Sequence, residues 1–376
     1  MKLLIGGSPC THWSIAQTKN RETEASGIGW ELFLNCRIAR DKYQPDFFLY
    51  ENNKSMSPAI RAQITAELGV EPVLINSALV SAQNRQRLYW AGRRNPDGTY
   101  SQVAVEQPVD RRILLREILE SGIVWHEKAY TLRASHGPYG GQSSVIKTIK
   151  EPGKFSFNGV AEPVRIGEIE NTAPRTGFDT SKQYKVYSTD AKATALCGNG
   201  GGAGAKTGLY AVPVIPDGKG RFVIKAAGGK EIPVYEVHGG RITIKGKTYP
   251  IKLADGFYII RKLTVTECKR LQTVPDTYAF PVSDTQAYKM LGNGWTVDVI
   301  AHIMSHFTGL TEEPVEVLSM YDGMSCGHIA LDKLGAEITA YYATEIDKYA
   351  VQTTQHNFPD TVQLGDAFQV RDNDWG

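Results

Sequence analysis

Near the start of the chain, short apolar segments alternate with longer segments in which apolar residues have helical spacing. Four short apolar runs have the length of buried strands, and they lie at residues 2–5, 46–50, 73–76 and 88–91. Two longer stretches between them have the spacing of helices, at about residues 29–40 and 58–68. Strands that alternate with helices indicate βα units and a parallel sheet.

The same rhythm returns towards the end of the chain. Strands are predicted at residues 315–321, 338–344 and near 362, and helices at 264–272, 285–307, 328–334 and 348–357. The middle of the chain breaks the rhythm with β-like runs such as 222–225 and 240–246. We therefore predict an α/β domain assembled from residues 1–98 and 263–376, with a β-rich domain of residues 99–262 inserted between its halves.

Charge divides along the same boundaries. The 376 residues have a net charge of only +2, but residues 99–262 hold 24 Lys and Arg against 15 Asp and Glu, and they carry 22 of the 37 glycines. The rest of the chain holds 18 basic and 25 acidic side chains. A basic, glycine-rich module is suited to lying on a polyanion, although a solvated insertion with lysine-tipped turns has the same composition.

The cysteines and the apolar runs exclude several classes of protein. Five cysteines are scattered at positions 10, 36, 197, 268 and 326 without a CxxC pair. Such a set argues against a disulfide framework or a zinc ribbon and favours a reducing cytoplasm. No apolar run approaches the ~20 residues of a membrane span, and the first residues lack the order of a signal peptide. We expect a cytoplasmic monomer with no metal and no membrane partner.

One cysteine follows an apolar strand in an unusual loop. Residues 3–10 have the sequence LLIGGSPC, which places Cys10 at the carboxyl edge of the sheet, where open α/β sheets bind their ligands. Pro9 restrains the backbone before the thiol, and the glycines let a substrate approach. A lone cysteine is more often a small core residue, but a core position does not need such a loop.

Two further motifs bring charged groups to this edge. The next strand ends in Glu51-Asn52-Asn53, and residues 83–87 have the sequence QNRQR. If the second motif is extended, Arg85 and Arg87 share one face. A solvated acid and a salt-bridged basic strand are the structural alternatives. Together the three motifs supply a nucleophile, a carboxylate and guanidinium groups.

These blocks resemble those of the DNA (cytosine-5)-methyltransferases. The matching segments are GGSPC at 6–10, ENN at 51–53 (usually ENV in the family), QNRQR at 83–87, RKLTVTECKRLQTVP at 261–275, GN at 292–293 and LSMYDGMSCG at 318–327. They cover roughly the whole chain outside the insertion. The aromatic-Asp-Gly form of the last segment is closest to the branch that includes the animal de novo enzymes. The resemblance implies a Rossmann-like, S-adenosylmethionine-dependent fold in which residues 99–262 form a target-recognition domain.

The order of the blocks departs from the family. Its members usually begin with the cofactor loop, whereas here the Pro-Cys block comes first and the cofactor half follows through a short join at residues 309–314. The resemblance therefore implies a circular permutation, natural or engineered. Because permutation is tolerated where chain ends lie close together, Met1 and Gly376 are expected to be neighbours beside the central sheet.

By the same resemblance, Cys10 attacks carbon 6 of cytosine and so activates carbon 5 for methylation. Glu51 would hydrogen-bond or protonate the ring nitrogen. Arg87 would hold the carbonyl of the base, and Arg85 would orient Glu51 or a nearby phosphate. The structural alternative is a core cysteine beside a buried ion pair.

S-adenosylmethionine is the methyl donor that the resemblance implies. Asp322 lies in the cofactor loop, whose glycines Gly323 and Gly327 would admit the methionine end, and Tyr321 would pack against the adenine side. This loop is not GxGxxG, so a nicotinamide enzyme is not favoured.

The other end of the cofactor would meet the following strands. Glu345 would accept the ribose hydroxyls, Ile346 would cover one adenine face, and Asp366 would recognise the adenine amino group. Asn293 and Trp295 would border the pocket.

The implied partner is double-stranded DNA, from which the target base must be flipped. Lys and Arg of the insertion would contact phosphates while fewer polar side chains read base edges. Residues 192–196 resemble the family's Thr-Leu element, with Ala195 in the place of Thr, and residues 129–134 are a second candidate. Residues 11–29 are predicted to form a mobile loop over the base; an ordinary surface loop is the alternative.

Three rival interpretations stay open. A tRNA cytosine methyltransferase shares this core, but the Cys-Phe-Thr signature of that branch is missing from the sequence. A catalytically silent DNA-binding relative would not need all the motif residues. A permuted enzyme could also be inactive because the short join strains its cofactor loop.

Overall fold

The computed structural model describes residues 1–9, 12–13, 21–120, 163–168, 185–196, 208–214, 216, 222 and 232–372. Several predicted features lie outside these residues: Cys10, residues 129–134, Gly376 and the centre of the predicted mobile loop. The described residues form two sheets and the helices that cover the larger one.

The larger sheet draws its strands from both ends of the sequence. They are β1 (Lys2–Gly6), β2 (Phe47–Asn53), β3 (Pro72–Asn76), β4 (Gln86–Arg94), β5 (Tyr100–Gln102), β13 (Val315–Met320), β14 (Ile338–Thr344) and β15 (Val362–Gly365). Their order is β15-β14-β13-β1-β2-β4-β3, with β5 paired to β4. The centre of the sheet is therefore the parallel pair β1 and β13.

The expectation of a wholly parallel sheet is wrong at one edge. β4 runs antiparallel to both of its neighbours, β2 and β3. Only residues 77–85 join β3 to β4, and a parallel neighbour needs a crossover of about a dozen residues or more. The short connection thus dictates the direction of β4.

Helices cover both faces of this sheet. Their bounds are α1 (Gly27–Tyr43), α2 (Pro58–Leu68), α3 (Val265–Leu271), α4 (Asp284–Asn293), α5 (Val297–Met304), α6 (Cys326–Leu334), α7 (Lys348–Asn357) and α8 (Ala367–Asp372). In the central strand, Leu3 and Ile5 face one layer and Leu4 faces the other, as expected for a sheet buried on both sides. Within the described ranges, no helix is long and apolar enough to cross a membrane.

Two helix predictions need correction. The single helix expected at residues 285–307 is two helices, α4 and α5, which are interrupted at Gly294–Thr296. A Cβ on Gly294 would lie 3.1 Å from Met290 O and 3.2 Å from Cys326 Sγ, so the chain is tightly held where it breaks. Gly27 and Gly29, expected in the mobile loop, belong to the first turn of α1.

The second sheet is built from strands within residues 165–261. These strands are β6 (Arg165–Glu168), β7 (Lys185–Ser188), β8 (Leu209–Val214), β9 (Tyr235–His238), β10 (Arg241–Ile244), β11 (Lys247–Pro250) and β12 (Gly256–Arg261). Their order is β11-β10-β9-β12-β8-β7-β6. The outer strands approach each other through a bridge between Gly167 and Ile251, so the sheet curls towards a closed barrel. β5 also lies within the predicted insertion yet pairs with β4, so the larger sheet extends past the predicted boundary at residue 99.

The two connections to the second sheet converge on one buried carboxylate. Glu267, at the start of α3, is fully buried and accepts two hydrogen bonds of 2.7 Å from Arg261, the last residue of β12. It also accepts the main-chain N–H of Glu120 at 2.9 Å and that of Thr264 at 2.8 Å. Glu267 thus connects the segment that leaves the larger domain, at Glu120, with the segment that returns to it, at Arg261.

Candidate active site

Glu51 lies at the carboxyl end of β2 in a closely fitted space. It is 8% exposed. Its Oε1 lies 3.0 Å from Nε of Arg87, and its Oε2 accepts a hydrogen bond of 2.9 Å from the indole N–H of Trp295. A Cβ on Gly7 would come within 3.1 Å of both the carboxylate and the indole. The carboxylate is therefore held on two sides, and a glycine makes room for it.

The residues before Cys10 are anchored to β2 by a buried polar network. Ser8 Oγ and the Tyr50 hydroxyl are 2.6 Å apart. Asn52 Nδ2 donates to the Ser8 carbonyl at 3.2 Å and to the Tyr50 hydroxyl at 3.1 Å. Pro9, which follows Ser8, is exposed, and Cys10 itself lies outside the described residues. This network fixes the backbone that leads into the candidate nucleophile.

Arg85 is buried and bonded to main-chain carbonyls. Its guanidinium donates to Leu196 O at 3.2 Å, Gly292 O at 3.1 Å and Gly294 O at 2.9 Å. The side chain is 4% exposed, and these three contacts are all with main-chain carbonyls of the protein. The contacts that orient Glu51 come from Arg87 and Trp295.

The loop after β13 is held in place by hydrogen bonds to its own carboxylate, Asp322. Asp322 accepts hydrogen bonds from the hydroxyls of Ser319 at 2.7 Å, Tyr341 at 2.8 Å and Ser325. Burial raises the pKa of Asp322 above its ordinary value. Asp322 therefore holds the predicted cofactor loop from its buried side.

Two residues of this loop make further contacts that the sequence did not predict. The Tyr321 hydroxyl donates to Leu32 O and accepts from Asn35, both at 2.9 Å, so the ring is turned under α1. A Cβ on Gly327 would lie 2.1 Å from Cδ1 of Ile5, so this glycine serves the packing of α6 on β1. A Cβ on Gly323, in contrast, would meet nothing within 4 Å, which leaves open space beside that residue.

Three of the other predicted cofactor residues, Glu345, Ile346 and Asp366, follow the ends of β14 and β15. Glu345 accepts the N–H of Gly323 at 2.9 Å on Oε2, and those of Ile346 and Asp347 at 2.8 Å on Oε1. The Ile346 side chain is 77% exposed, an unusual state for an isoleucine. Asp366 accepts the N–H of Phe368 at 3.0 Å at the start of α8. Asn293 is exposed at the end of α4.

The base of the predicted mobile loop is also ordered by a carboxylate. Glu22 accepts hydrogen bonds from the Trp13 indole at 3.1 Å and the Gly29 N–H at 3.2 Å, and it lies 3.5 Å from Nδ1 of His12. Trp13 is fully buried. Glu22 thus joins the start of the segment to the first turn of α1.

Residues 192–196, the first Thr-Leu candidate, dock on the QNRQR motif. Ala193 exchanges main-chain hydrogen bonds with Ala82 at 2.6 Å and Asn84 at 2.9 Å. Sequence reasoning missed Lys192, which is 1% exposed, and it also missed the network of Ser8 and Tyr50. Nothing in the sequence pattern distinguishes Lys192 from the many solvated lysines around it, whereas the tyrosine hydroxyl beside the ENN motif was an available signal.

Comparison with known proteins shows which family the chain belongs to. A family model described as C-5 cytosine-specific DNA methylase matches residues 1–308. The chain is 26% identical to the type II methyltransferase M.HpaII of Haemophilus parainfluenzae, with 79% of this chain and 69% of the relative covered. It is 24% identical to the orphan methyltransferase M.SPRI of Bacillus phage SPR, with 80% and 81% covered. The solved structure of the Entamoeba histolytica methyltransferase EhMeth aligns with 12% identity, a TM-score of 0.42, and 83% of this chain and 78% of that chain covered.

The family match extends over more than half of the chain, and its named relatives are methyltransferases. The chain belongs to the C-5 cytosine-specific DNA methylases and is a DNA cytosine-5 methyltransferase.

Proposed function

We propose that the enzyme flips a cytosine out of a specific duplex sequence and methylates it through a covalent adduct with Cys10. The observation that carries this mechanism is the placement of Glu51, held between Arg87 and Trp295 at the edge of the sheet where the Cys10 loop begins. A buried carboxylate beside a cationic guanidinium can meet the ring nitrogen and the carbonyl of one base.

In the proposed reaction, the pyrimidine ring takes up an electron pair from the thiolate and later releases it. The Cys10 thiolate bonds to carbon 6, and the electron pair of the 5,6 double bond moves to carbon 5 while Glu51 hydrogen-bonds or protonates the ring nitrogen. The electron pair on carbon 5 then forms the bond to the methyl carbon, the carbon–sulfur bond of the donor breaks with its electron pair left on sulfur, and Glu51 later takes back any proton it gave to the ring nitrogen. Water removes the proton from carbon 5, the electron pair of that C–H bond restores the double bond, and the thiolate leaves.

The proposed methyl donor is S-adenosylmethionine, which supplies an electrophilic methyl group when bound. The residues at the ends of β14 and β15 fit its nucleoside. Oε2 of Glu345 accepts one main-chain N–H and keeps a second lone pair for a ribose hydroxyl. The exposed Ile346 side chain offers an apolar face to adenine, and the space beside Gly323 admits the chain of the donor.

We also propose that the second sheet belongs to the target-recognition domain predicted at residues 99–262. The excess of basic residues in that segment favours contact with DNA phosphates. Duplex DNA is then the partner.

The circular permutation is likewise proposed. Its support is the sheet order, in which β1 and β13 are central parallel neighbours although they come from opposite ends of the sequence. The Met1 ammonium donates to Pro314 O at 2.7 Å, so the proposed join at residues 309–314, which leads into β13, ends beside the start of β1.

The test uses purified enzyme, labelled S-adenosylmethionine and duplex DNA. Wild type is expected to transfer label to DNA, and the Cys10→Ser variant to transfer none, because a serine hydroxyl is a far weaker nucleophile than a thiolate. Equal incorporation by the two proteins would refute the mechanism. Transfer RNA in a competition arm separates this function from the RNA-methylating branch.

A further inference from the structure

A buried lysine fixes a segment of the second domain to the catalytic domain. We call residues 189–196 the docking segment. Lys192 of this segment donates to the carbonyls of Ala78 at 2.8 Å, Ser81 at 3.0 Å and Ile113 at 2.5 Å. Three acceptors match the three hydrogens of the ammonium group, which offsets the cost of burying its charge.

The last residue of the docking segment is held on both sides by the QNRQR motif. The N–H of Leu196 donates to Gln83 Oε1 at 3.2 Å, and its carbonyl accepts from Arg85 at 3.2 Å. Both side chains are buried, so water does not substitute for these contacts without opening the interface.

Arg85 continues the connection to the break between α4 and α5. The nitrogen Nη2 of the same guanidinium donates to Gly292 O and Gly294 O. Gln272 reinforces this loop by donating to Leu291 O at 2.6 Å. Trp295, the residue after Gly294, donates its indole N–H to Glu51. An unbroken path of short contacts thus leads from the docking segment to the proposed catalytic carboxylate.

We propose that Lys192 and Arg85 are positioning residues that make the orientation of Glu51 depend on the seating of the docking segment. The inference rests on the proposed function of Glu51. When the docking segment is seated, Arg85 holds the 292–294 carbonyls and Trp295 points at Oε2. When it is displaced, Arg85 loses its Leu196 partner and Glu51 is oriented less tightly. Base recognition and base activation are therefore coupled through a discrete side-chain network.

A double-mutant cycle tests this coupling. Lys192→Met keeps the length of the side chain and removes its donors, and Trp295→Phe removes the hydrogen bond to Glu51. The readout is the single-turnover rate of covalent adduct formation on duplex DNA in which 5-fluorocytosine replaces every cytosine. Each variant is expected to slow the reaction about tenfold, and the double variant no more than the slower single one.

Lys247→Met is the matched control. Lys247 is an exposed lysine on β11, so its effect is expected to multiply with that of Trp295→Phe. Multiplicative effects for Lys192→Met and Trp295→Phe would overturn the coupling, because independent structural damage gives that result. Thermal melts verify folding; if Lys192→Met does not fold, Arg85→Lys takes its place, because lysine lacks the two separate Nη groups with which Arg85 donates to Leu196 O and to Gly294 O. Absence of any adduct with wild type would instead refute the proposed function itself.

Discussion

The position of Glu51 depends on the absence of a side chain at Gly7. Gly7 follows β1, and the space where its side chain would be is filled by the Glu51 carboxylate and the Trp295 indole. The glycines of the GGSPC motif are usually explained by substrate access, but here one of them is needed for contact between two catalytic-domain side chains. The motif therefore helps to set the position of the acid.

Gly7→Ala is expected to lower kcat by about 100-fold, because a displacement of the order of 1 Å in a reacting group has that effect. The methyl group would push against the carboxylate and the indole, each 3.1 Å from its Cβ. Steady-state kinetics with duplex DNA measure the loss. A KM for S-adenosylmethionine close to that of wild type is expected, and a fall in cofactor affinity alone would contradict the explanation.

Asp322 supplies a prediction about pH. Burial raises its pKa, so the folded state favours the protonated acid. Its stabilising contribution is therefore complete below the ordinary carboxyl value of about 3.9 and is lost as pH rises through the raised folded value. The free energy of unfolding of wild type minus that of Asp322→Asn should therefore fall as the pH rises from about 3.9 through the raised pKa of the folded state. Urea unfolding at several pH values measures it, and a difference that grew with pH would contradict the prediction.

Among the elements, the break between α4 and α5 has the largest consequence for the site. Residues 285–307 have the periodicity of one helix, and that pattern carries no information about the interruption at Gly294–Thr296. The interruption turns Trp295 towards Glu51. Sequence reasoning predicted Trp295 at the border of a cofactor pocket and did not predict its contact with Glu51, because the direction of a side chain in a helix break is decided by tertiary packing.

The contact of α6 with β1 gives a prediction at the same scale. Gly327→Ala would place a methyl group 2.1 Å from Cδ1 of Ile5 and is expected to destabilise the protein by about 1–3 kcal/mol. Ile5→Val removes that Cδ1 atom, so the double variant should be more stable than the sum of the single effects allows. Denaturant unfolding of the three variants measures both. Additive effects would show that the two side chains do not compete for the same space.

At the scale of the whole molecule, Glu267 joins the two domains. Its carboxylate meets Arg261 and Glu120, one from each connection. Glu267→Gln is expected to cost about 3–5 kcal/mol of unfolding free energy, because it leaves the guanidinium of Arg261 without its buried charge partner. Asp276→Asn is the control: it breaks an exposed pair with Arg270, which is worth about 1 kcal/mol or less. Equal losses in the two variants would refute the role given to Glu267.

Much of the larger domain follows from the sequence. Strand 338–344 and helices 58–68 and 348–357 coincide with β14, α2 and α7, because strong periodicity and clear end signals define them. The direction of β4 could have been inferred from the nine residues of its connection. The three carbonyls that accept hydrogen bonds from Lys192 and the orientation of the Tyr321 ring could not be inferred from the sequence, because each depends on which distant segments come into contact.

The convergence of both connections on Glu267 also bears on how such enzymes change their targets. Because the chain leaves and re-enters the larger domain at one carboxylate, we expect that the second domain can be exchanged as a cassette without changing the strand order of the larger sheet. The incoming cassette must bring an arginine at the end of its last strand and a main-chain N–H at the position of Glu120. It must also bring a lysine-anchored segment that fits Arg85. Under the proposed assignment of this domain to target recognition, sequence specificity can change elsewhere in the cassette while these few contacts are kept.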